Sequence, residues 1–344
     1  MIELTADTVV DYLRDTHRLP AGVSARAELL AWGVSNVVFR IRPAEGDDFV
    51  VKQSRKQLRT KAAWFSRLER IHAEMDLMKV LAERVPEGAV PRVLFEDRAN
   101  FLFGMEAVAA DHRVWKADLL AGIADFSVAQ TAGSLLAAIH RETVNDPALK
   151  ERFGDRIVFD ELRVDPFYRY VIRRHPETAP ALERAIEEVL SLQVSIVHAD
   201  FSPKNILLTG DRLILVDFET GHFGDPAFDL GFFLSHLLLK TIKNAEARES
   251  YLGLTKTFWE AYQTSLGGLG ADVLSPFHPK DFERRTLGNL GGCLLARIDG
   301  KSPIDYFEED RQKEIARNLA FTYLMRPVTE IAQAFEEIEK ILDG

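Results

Sequence analysis

Residues Ile196–Asp229, IVHADFSPKNILLTGDRLILVDFETGHFGDPAFD, determine how the rest of this 344-residue chain is interpreted. The stretch contains four closely spaced polar side chains, at His198, Asp200, Asn205 and Asp217. Two short apolar runs, Asn205–Thr209 and Leu213–Phe218, flank a Gly-Asp turn, which predicts a β-hairpin with polar residues at its strand ends. Such a hairpin can hold one Mg²⁺ ion and one catalytic base against a polyphosphate.

The spacing of these polar residues suggests a division of labour. In phosphoryl transfer the protein mainly positions groups and neutralises charge. Asp200 and Asn205 lie five positions apart with Pro203 between them, as in a loop whose two ends face one cleft. Asp217 ends an apolar run and would point into the same cleft. Because Mg²⁺ takes oxygen ligands and keeps several waters, we predict Asp200 as the base and Asn205 and Asp217 as metal ligands. His198 is expected to brace the loop through buried hydrogen bonds.

Composition excludes several classes of protein. The formal net charge is −10, so no basic surface for nucleic acid is expected. Cys293 is the single cysteine, which excludes an intrachain disulfide and favours a reducing compartment. The most apolar stretch, Phe228–Leu239, is shorter than the roughly 20 residues that span a bilayer. The N-terminus does not resemble a signal peptide. We therefore expect a cytoplasmic protein without nucleic-acid or membrane partners, in an oligomeric state that the sequence does not indicate.

The N-terminal part of the chain predicts an antiparallel sheet preceded by a helix at Thr5–Thr16. The predicted strands are Glu28–Gly33, Asn36–Arg42, Phe49–Lys52, Arg92–Glu96 and Phe101–Met105. A buried lysine at the end of a strand, such as Lys52, needs an acidic partner. The amphipathic helix predicted at Lys61–Ala82 carries Glu74 beside its apolar stripe. Glu74 is therefore the expected partner of Lys52, with Glu69 as the alternative.

Helices dominate after an extended crossing segment, EAVAAD, and we place a lobe boundary near Val108–Asp111. The predicted helices are Val128–His140, Pro166–His175, Ala179–Leu192, Phe228–Ile242, Ala245–Leu266, Lys280–Arg297, Phe307–Tyr323 and Thr329–Leu342. The predicted fold is α+β, with a small antiparallel β-sheet lobe at residues 1–108 and a larger, mainly α-helical lobe at residues 109–344. We expect the first lobe to bind a nucleotide and the second to carry the catalytic and substrate-binding residues.

The octapeptide HADFSPKN, followed by VDFE, resembles the catalytic and metal-binding loops of the aminoglycoside phosphotransferase and choline kinase family, within the protein-kinase-like fold. That family's order is a glycine-containing hairpin, a strand lysine, a helix glutamate, a crossing segment, a His-x-Asp-x-x-x-x-Asn loop and a metal-binding aspartate. All are found here in that order. The resemblance covers roughly Glu28–Ile242 and implies a two-lobed, kinase-like fold.

The resemblance also implies how a nucleotide is held. It places the nucleotide under the Trp32–Asn36 turn, puts Lys52 on the α- and β-phosphates with Glu74 as its partner, and brings the Met105–Val108 backbone to the adenine edge. The candidate nucleotide-binding residues are Lys52, Glu74, Gly33, Ser35, Asn36, Glu106 and Val108. Asp229, in the sequence DPAFDLG, resembles the family's aspartate that braces the catalytic loop.

Some positions depart from the wider kinase pattern. The nucleotide turn has one glycine, Gly33, where a full G-x-G-x-x-G would have three, so Ser35 and Asn36 are alternative phosphate donors. Ala199 stands where Gly or Arg is usual, and Glu219 replaces the glycine of a protein kinase's Asp-Phe-Gly. Only 11 residues separate the predicted metal-binding and bracing aspartates. That interval is too short for a phosphorylatable activation segment with a peptide-binding platform, which disfavours a protein kinase.

The acceptor is less clearly indicated. Glu219 and Asp225 follow the metal-binding residues and are candidates for holding a cationic acceptor, with solvation or helix capping as the alternative. Arg297 or Asp299 is a candidate contact to a sugar or acid, with an ordinary inter-helix ion pair as the alternative. A core position is the preferred interpretation for Trp115, His140 and His236.

We interpret the sequence as an ATP- and Mg²⁺-dependent phosphotransferase. Its acceptor would be a hydroxyl group of a small molecule, such as an aminoglycoside, a choline-like amine or a sugar such as methylthioribose. A catalytically silent nucleotide-binding module and a protein kinase are the alternatives. The acceptor, and the preference between ATP and GTP, stay open at this point.

Overall fold

A five-stranded antiparallel sheet forms the N-terminal part of the computed structural model, which describes residues 2–30, 36–55, 66–267, 277–326 and 328–343. Its strands are β1 (Ala25–Leu30), β2 (Asn36–Pro43), β3 (Phe49–Ser54), β4 (Val93–Asp97) and β5 (Leu102–Glu106), in the spatial order β1-β2-β3-β5-β4. Every residue of the central strand β3 is buried, as expected for a strand covered on both faces. The predicted sheet is confirmed, with strand ends that differ by a few residues.

Helix α1 (Val9–Asp15) covers one face of this sheet. Its apolar residues Val9 and Leu13 are fully buried and belong to a small core with Phe39 and Val51. The helix is shorter than the predicted Thr5–Thr16 because the first residues of that range form a turn.

Helix α2 (Arg70–Ala82) covers the sheet from the other side. Its apolar stripe, which includes Ile71, Met75 and Met78, is buried, and Glu74 is buried on the same side. The predicted helix at 61–82 is confirmed only from Arg70 onward. Residues 66–69 precede the helix, and residues 56–65 lie outside the described part of the chain.

The rest of the described chain is mainly helical and contains one three-stranded sheet and one two-stranded sheet. Its elements are β6 (Arg113–Val114), α3 (Trp115–Leu120), α4 (Phe126–Arg141), α5 (Pro147–Phe153), α6 (Ile157–Phe159), α7 (Tyr170–Arg174), α8 (Ala179–Ser191), β7 (Ser195–Val197), β8 (Ile206–Thr209), β9 (Arg212–Leu215), β10 (His222–Gly224), α9 (Pro226–Lys243), α10 (Arg248–Leu266), α11 (Pro279–Asp299), α12 (Asp310–Met325) and α13 (Ile331–Asp343). This is the two-lobed architecture of the protein-kinase-like fold, while the division at residues 108 and 109 stays a prediction.

Helix α9 lies at the centre of the helical lobe. Its residues from Pro226 to Ile242 are all buried, and they include the polar side chains of Asp229, His236 and Lys240 among mainly apolar ones. It packs closely against α11 at Gly231, where a Cβ atom would lie 2.7 Å from the backbone nitrogen of Leu290. At Gly133 of α4 a Cβ would lie 2.4 Å from the carbonyl oxygen of Phe258 on α10. These two glycines let the helix backbones approach each other closely.

A π-helix spans Asp160–Arg169 and runs directly into α7. The sequence predicts a helix at Pro166–His175, and the structure confirms a helix over most of this range, with an earlier start and with Pro166–Arg169 in the π-helix. Pro166 lies inside the π-helix, where its missing N–H removes one backbone donor. Wide turns of this kind are often found at functional sites, and here the π-helix carries Arg163 toward the catalytic loop.

The predicted hairpin is confirmed as β8 and β9, which pair antiparallel around Gly210. Gly210 has a φ of 53°, a left-handed conformation that glycine adopts without steric cost. Within the ranges described above, no helix combines the length and the apolarity that crossing a membrane requires.

Candidate active site

The loop after β7 is held in place by one buried carboxylate. Asp229, in the first turn of α9, accepts hydrogen bonds from the backbone N–H groups of His198 and Ala199, both at 2.7 Å. Nε2 of His140 lies 3.3 Å from the same carboxylate. Ala199 has a φ of 57°, which non-glycine residues rarely adopt. Asp229 thus makes the contacts that the predicted brace requires.

His198 uses both ring nitrogens within the loop. The backbone N–H of Asp200 donates to its Nδ1 at 3.2 Å. Because Nδ1 accepts, Nε2 carries the proton and donates to the carbonyl oxygen of Val216 at 3.2 Å. Burial lowers the pKa of His198 and favours this neutral form. The side chain ties the catalytic loop to the end of β9 and has no nitrogen left to act as a base.

Asp200 lies in a cluster of three donors. Its Oδ1 is 2.8 Å from an Nη atom of Arg163, and its Oδ2 is 2.9 Å from Nζ of Lys204 and 2.8 Å from Nδ2 of Asn205. Burial raises the pKa of Asp200, but Arg163 and Lys204 outweigh it and hold the pKa well below the ordinary value. The carboxylate is therefore ionised throughout the neutral range and is fixed in orientation.

Lys52 connects the two lobes at this site. Its Nζ donates to Glu74 at 2.6 Å and to Asp217 at 2.7 Å. Burial lowers the pKa of Lys52, but Asp217 and Glu74 outweigh it and raise the pKa above the ordinary value. Oε1 of Glu74 also accepts from the backbone N–H of Phe218 at 3.1 Å. Glu69 is exposed and precedes α2, so Glu74 is the carboxylate that contacts Lys52.

Asp217 and Asn205 present oxygen atoms to the same cleft. Asp217 follows β9 with a φ of 72°, and its side chain is 22% exposed, compared with 6% for Lys52. Nδ2 of Asn205 donates to the backbone carbonyl and the carboxylate of Asp200. That arrangement leaves the amide oxygen of Asn205 as the group that can bind a cation. Of the three residues that the sequence predicts for catalysis and metal binding, Asn205 contacts Asp200 directly and lines the same cleft as Asp217.

A cleft of about 190 Å³ lies between the lobes above these residues. Apolar side chains line it from both sides, with Leu30, Val38 and Val50 from the sheet and Leu207 and Val216 from the hairpin. Such a slot suits a flat heteroaromatic ring.

The cleft's rim follows the crossing segment. Met105, Glu106 and Val108 line it there. The carbonyl oxygen of Val108 accepts a hydrogen bond from Arg40 at 2.9 Å, and the carboxylate of Glu106 bonds to Arg92 at 2.7 Å. Their predicted contact with the adenine edge stays a prediction. Gly33 and Ser35, also predicted to hold the nucleotide, lie outside the described residues.

Glu219 belongs to a buried polar network that joins the lobes. Its Oε2 accepts from Nδ2 of Asn36 at 2.9 Å and from Nε of Arg70 at 3.0 Å. Arg70 also lies 3.3 Å from the amide oxygen of Asn36. The network therefore contains Asn36, which the sequence predicts as a phosphate donor, and Glu219, which it predicts as a contact to the acceptor. The structure brings these two predicted residues to each other.

Asp225 and Asp299 lie outside the cleft, which corrects their predicted contact with an acceptor. Asp225 is fully buried, caps α9 and pairs with Arg285 at 2.8 Å. Asp299 receives two hydrogen bonds from Arg317, at 2.7 and 2.9 Å, and lies 2.9 Å from His175. Both carboxylates hold helices together, in agreement with the alternatives of a helix cap for Asp225 and an inter-helix ion pair for Asp299.

Arg297 lines a second cavity next to the cleft, together with Lys204. Trp115 is fully buried and packs against Phe233, so the core interpretation of this residue is confirmed.

Three basic residues of the site were not predicted. Arg163 and Lys204 hold Asp200, and Arg70 holds Glu219. Lys204 lies inside the motif HADFSPKN, four residues after Asp200, so its position in a loop could have indicated it. Arg163 belongs to a π-helix that no simple periodicity predicts.

Comparisons with known proteins agree with this geometry. The family model described as "Phosphotransferase enzyme family" matches residues 26–262. Methylthioribose kinase of Cronobacter sakazakii is 24% identical over 90% of this chain and 89% of its own. Choline kinase of Cryptosporidium parvum has a similar fold, with a TM-score of 0.57, 12% identity and coverage of 99% of this chain and 100% of its own.

An amicoumacin kinase solved with AMP-PNP, Ca²⁺ and amicoumacin has a TM-score of 0.55 and 16% identity, covering 94% of this chain and 95% of its own. The family match spans well over half of the chain and confirms the resemblance carried by HADFSPKN and VDFE. The chain therefore belongs to the phosphotransferase enzyme family and is a kinase of a hydroxyl-bearing small molecule.

Proposed function

We propose that this enzyme transfers the γ-phosphoryl group of Mg²⁺-bound ATP to a hydroxyl group of a small metabolite or antibiotic. One observation carries the proposal. Lys52 contacts Asp217, and both line one cleft between the lobes together with Asn205, which contacts the catalytic candidate Asp200 directly. The amicoumacin kinase complex with AMP-PNP and Ca²⁺ supports a nucleoside triphosphate and a divalent cation as ligands of this fold.

Asp200 is the proposed acceptor of the substrate's hydroxyl proton. Its contacts with Arg163 and Lys204 leave it ionised but make it a weak base. Its main contribution is therefore to orient the hydroxyl oxygen toward the γ-phosphorus. It takes the hydroxyl proton as the new P–O bond forms and the bond from the γ-phosphorus to the bridging oxygen breaks, with ADP as the leaving group. A positioned base of this kind contributes about 10²–10⁴-fold in rate.

Asn205 and Asp217 are the proposed ligands of Mg²⁺. An amide oxygen and a carboxylate are hard oxygen ligands, and Mg²⁺ completes its shell with waters and substrate phosphates. When bound, the ion neutralises charge on the phosphates. The positive φ of Asp217 aims its partly exposed carboxylate into the cleft, which supports this assignment.

Lys52 is the proposed contact to the α- and β-phosphates. Glu74 and Asp217 hold its ammonium group in place on a central strand, so the charge is oriented before the nucleotide binds. The apolar walls of the cleft would enclose the adenine, with the backbone of Met105–Val108 at its edge. Gly33 and Ser35 are proposed as further phosphate contacts from the sequence alone.

Two kinds of observation bear on the class of acceptor: the names of the relatives and the ion pairs of the acidic residues. The curated relatives are named methylthioribose kinases, which supports a sugar hydroxyl as the acceptor. A cationic acceptor, such as an aminoglycoside or choline, has lost the support of Glu219 and Asp225, because both carboxylates are paired with arginines. We also propose a cytoplasmic location, where ATP is abundant and the buried thiol of Cys293 stays reduced.

The proposal is tested by coupled-assay turnover with MgATP and a panel of sugars, hydroxy acids, choline and aminoglycosides. In Asp200→Asn we expect kcat to fall by about 10²–10⁴-fold while the affinity for ATP changes little. Asp211→Asn, an exposed change in the β8–β9 turn, serves as the control. Normal kcat in Asp200→Asn, or in Asp217→Ala at saturating Mg²⁺, would contradict the assigned roles.

A further inference from the structure

A second cavity, of about 200 Å³, adjoins the catalytic loop and is unusually basic. We call it the basic cavity and define it by its charged and polar lining residues, which are five basic side chains, one hydroxyl and one carboxylate: Lys116, Lys204, His236, Lys240, Arg297, Tyr306 and Asp305. They come from α3, the catalytic loop, α9, α11 and the segment that follows α11. Lys204 lines both this cavity and the nucleotide cleft, and its Nζ lies 2.9 Å from Asp200.

The ammonium group of Lys240 is the most informative feature of the cavity. Lys240 is 1% exposed, and its Nζ donates to the carbonyl oxygen of His236 at 3.2 Å and to the hydroxyl of Tyr306 at 3.4 Å. Its Nζ also lies 5.1 Å from the centre of the Tyr306 ring. Among the described residues no carboxylate comes within ion-pairing distance of it. A buried ammonium group without a counter-charge is costly, so its retention needs a reason.

Two neighbouring groups are also left with unused hydrogen-bonding capacity. Nε2 of His236 and Nε of Arg297 are buried and, in the part of the chain that the structure describes, have no hydrogen-bond partner. Arg297 is anchored by its Nη1 atom, which donates to the carbonyl oxygen of Ser302 at 2.9 Å. A guanidinium group held in this way can offer its remaining N–H groups to one planar or tetrahedral anion.

The charges that line the cavity do not cancel. Lys116 has a carboxylate nearby, that of Asp305 at 3.9 Å, but the Asp305 side chain is 88% exposed. Lys204 is paired with the catalytic Asp200. Burial lowers the pKa of Lys240, and Lys116 and Arg297 lower it further. A bound anion would oppose this effect and favour the charged form of the ammonium group.

We propose that the acceptor is a small hydroxylated anion whose phosphate or carboxylate group binds in the basic cavity, against Lys240, Arg297 and His236. This inference rests on the proposed function, because the reacting hydroxyl must lie beside Asp200. The acceptor's anion would then lie on the opposite side of Lys204 from the phosphates of ATP. Cationic acceptors are excluded from such a cavity by like-charge repulsion.

Binding of a simple anion tests the cavity without reference to turnover. With the nucleotide cleft saturated by MgAMP-PNP, inorganic phosphate and acetate are titrated separately by calorimetry. We expect saturable binding of at least one of them to the wild type, weakened at least tenfold in Lys240→Met. The control is Lys243→Met, one turn further along α9, where the lysine pairs with the exposed Glu308 outside the cavity. The relative affinities for phosphate and acetate distinguish a phosphate ester from a carboxylate.

Stability separates a binding function from a structural one. Because Lys240 is buried without a counter-charge, Lys240→Met should leave the melting temperature unchanged or raise it. A lower melting temperature together with unchanged anion binding would overturn the proposal. So would the absence of saturable anion binding in the wild type.

Turnover of different acceptors then distinguishes the anionic-acceptor proposal from the general proposal that the enzyme is a phosphotransferase. Neutral, anionic and cationic acceptors of matched size, such as ribose, ribonate, ribose 5-phosphate and choline, are compared by kcat/KM. We expect an anionic member to exceed its neutral counterpart at least 100-fold, and this advantage to disappear in Lys240→Met but not in Lys243→Met. A neutral or cationic best substrate would overturn the anionic acceptor and leave the phosphotransferase proposal intact. Anion binding without MgATP-dependent turnover of any acceptor would count against the proposed function instead.

Discussion

Both oxygen atoms of the buried Asp229 carboxylate are used to hold the catalytic loop. Oδ1 accepts from the N–H of Ala199, and Oδ2 accepts from the N–H of His198 and contacts His140. The left-handed backbone of Ala199 costs on the order of 1–2 kcal/mol. Hydrogen bonds to a charged acceptor contribute about 1.5–3 kcal/mol each and offset this cost. The geometry of Asp200, one residue after Ala199, therefore depends on a carboxylate that is fully buried.

Asp229→Asn should destabilise the fold and also slow the reaction. An amide oxygen can accept from only one of the two N–H groups in this orientation, and the amide nitrogen would face the other as a second donor. We expect a loss of about 2–3 kcal/mol in the free energy of unfolding, measured by urea denaturation. We also expect kcat to fall more than the KM for ATP changes. Asp211→Asn is the matched surface control, and equal stabilities of the two variants would disprove the bracing role.

At the scale of elements, the contact of α9 with α11 depends on one missing side chain. A Cβ atom at Gly231 would lie 2.6 Å from Cβ of Asn289 and 2.7 Å from the backbone nitrogen of Leu290. A Cβ atom at Gly288, on α11 itself, would have no atom within 4 Å. The two glycines therefore form a natural pair for comparison.

Gly231→Ala should destabilise the enzyme by about 1–3 kcal/mol, because the helices must move apart to admit the methyl group. Gly288→Ala should stabilise it by up to about 1 kcal/mol, because alanine has the higher helix propensity. Thermal unfolding of the two variants and the wild type checks whether the first substitution lowers the stability and the second raises it. Equal shifts in melting temperature would contradict the close contact.

Elements with a strong local pattern could be predicted from the sequence. The β8–β9 hairpin follows from two apolar runs around Gly210, and the start of the sheet follows from consecutive strand patterns. The π-helix could not be predicted, because Pro166 is typical of a helix start and here lies inside the helix. Residues 66–69, which belong to the predicted helix, precede α2, since their composition is compatible with a helix that does not form there.

At the scale of the whole molecule, prediction from the sequence failed for residues whose partners are distant along the chain. Lys52, Asp200 and Asp217 were predictable because their motifs are local and their chemistry is specific. The acidic residues assigned to an acceptor were not, because Glu219 and Asp225 meet Arg70 and Arg285, which are 149 and 60 positions away. An acidic residue near a metal site can be read from a sequence, but its counter-ion across the fold cannot.

Asp299 joins α11 to α12 through Arg317 and contacts His175, so it makes the molecule's stability depend on pH. Burial raises the pKa of Asp299, but Arg317 and His175 outweigh it and lower the pKa below the ordinary value. A carboxyl group with a lowered pKa in the folded state stabilises that state above its unfolded pKa, about 3.9, and loses this contribution as the pH falls through the folded value.

The difference in melting temperature between the wild type and Asp299→Asn should therefore be largest near neutral pH. It should shrink as the pH falls from about 5 toward 2, where the wild-type carboxyl group becomes protonated. Asp7→Asn, at an exposed position near the N-terminus, provides the reference series. A difference that stays constant over this range would show that the ion pairs of Asp299 contribute nothing to stability.

Lys204 faces both cavities, and this position has a consequence for the end of the catalytic cycle. If the acceptor is the proposed anion, its phosphorylation adds negative charge next to Lys204 while its original anionic group still faces Lys240 and Arg297. We then expect the product to be held more strongly than the substrate and its release to limit the rate. Moderate salt, which screens this attraction, should increase kcat even as it weakens the capture of the acceptor.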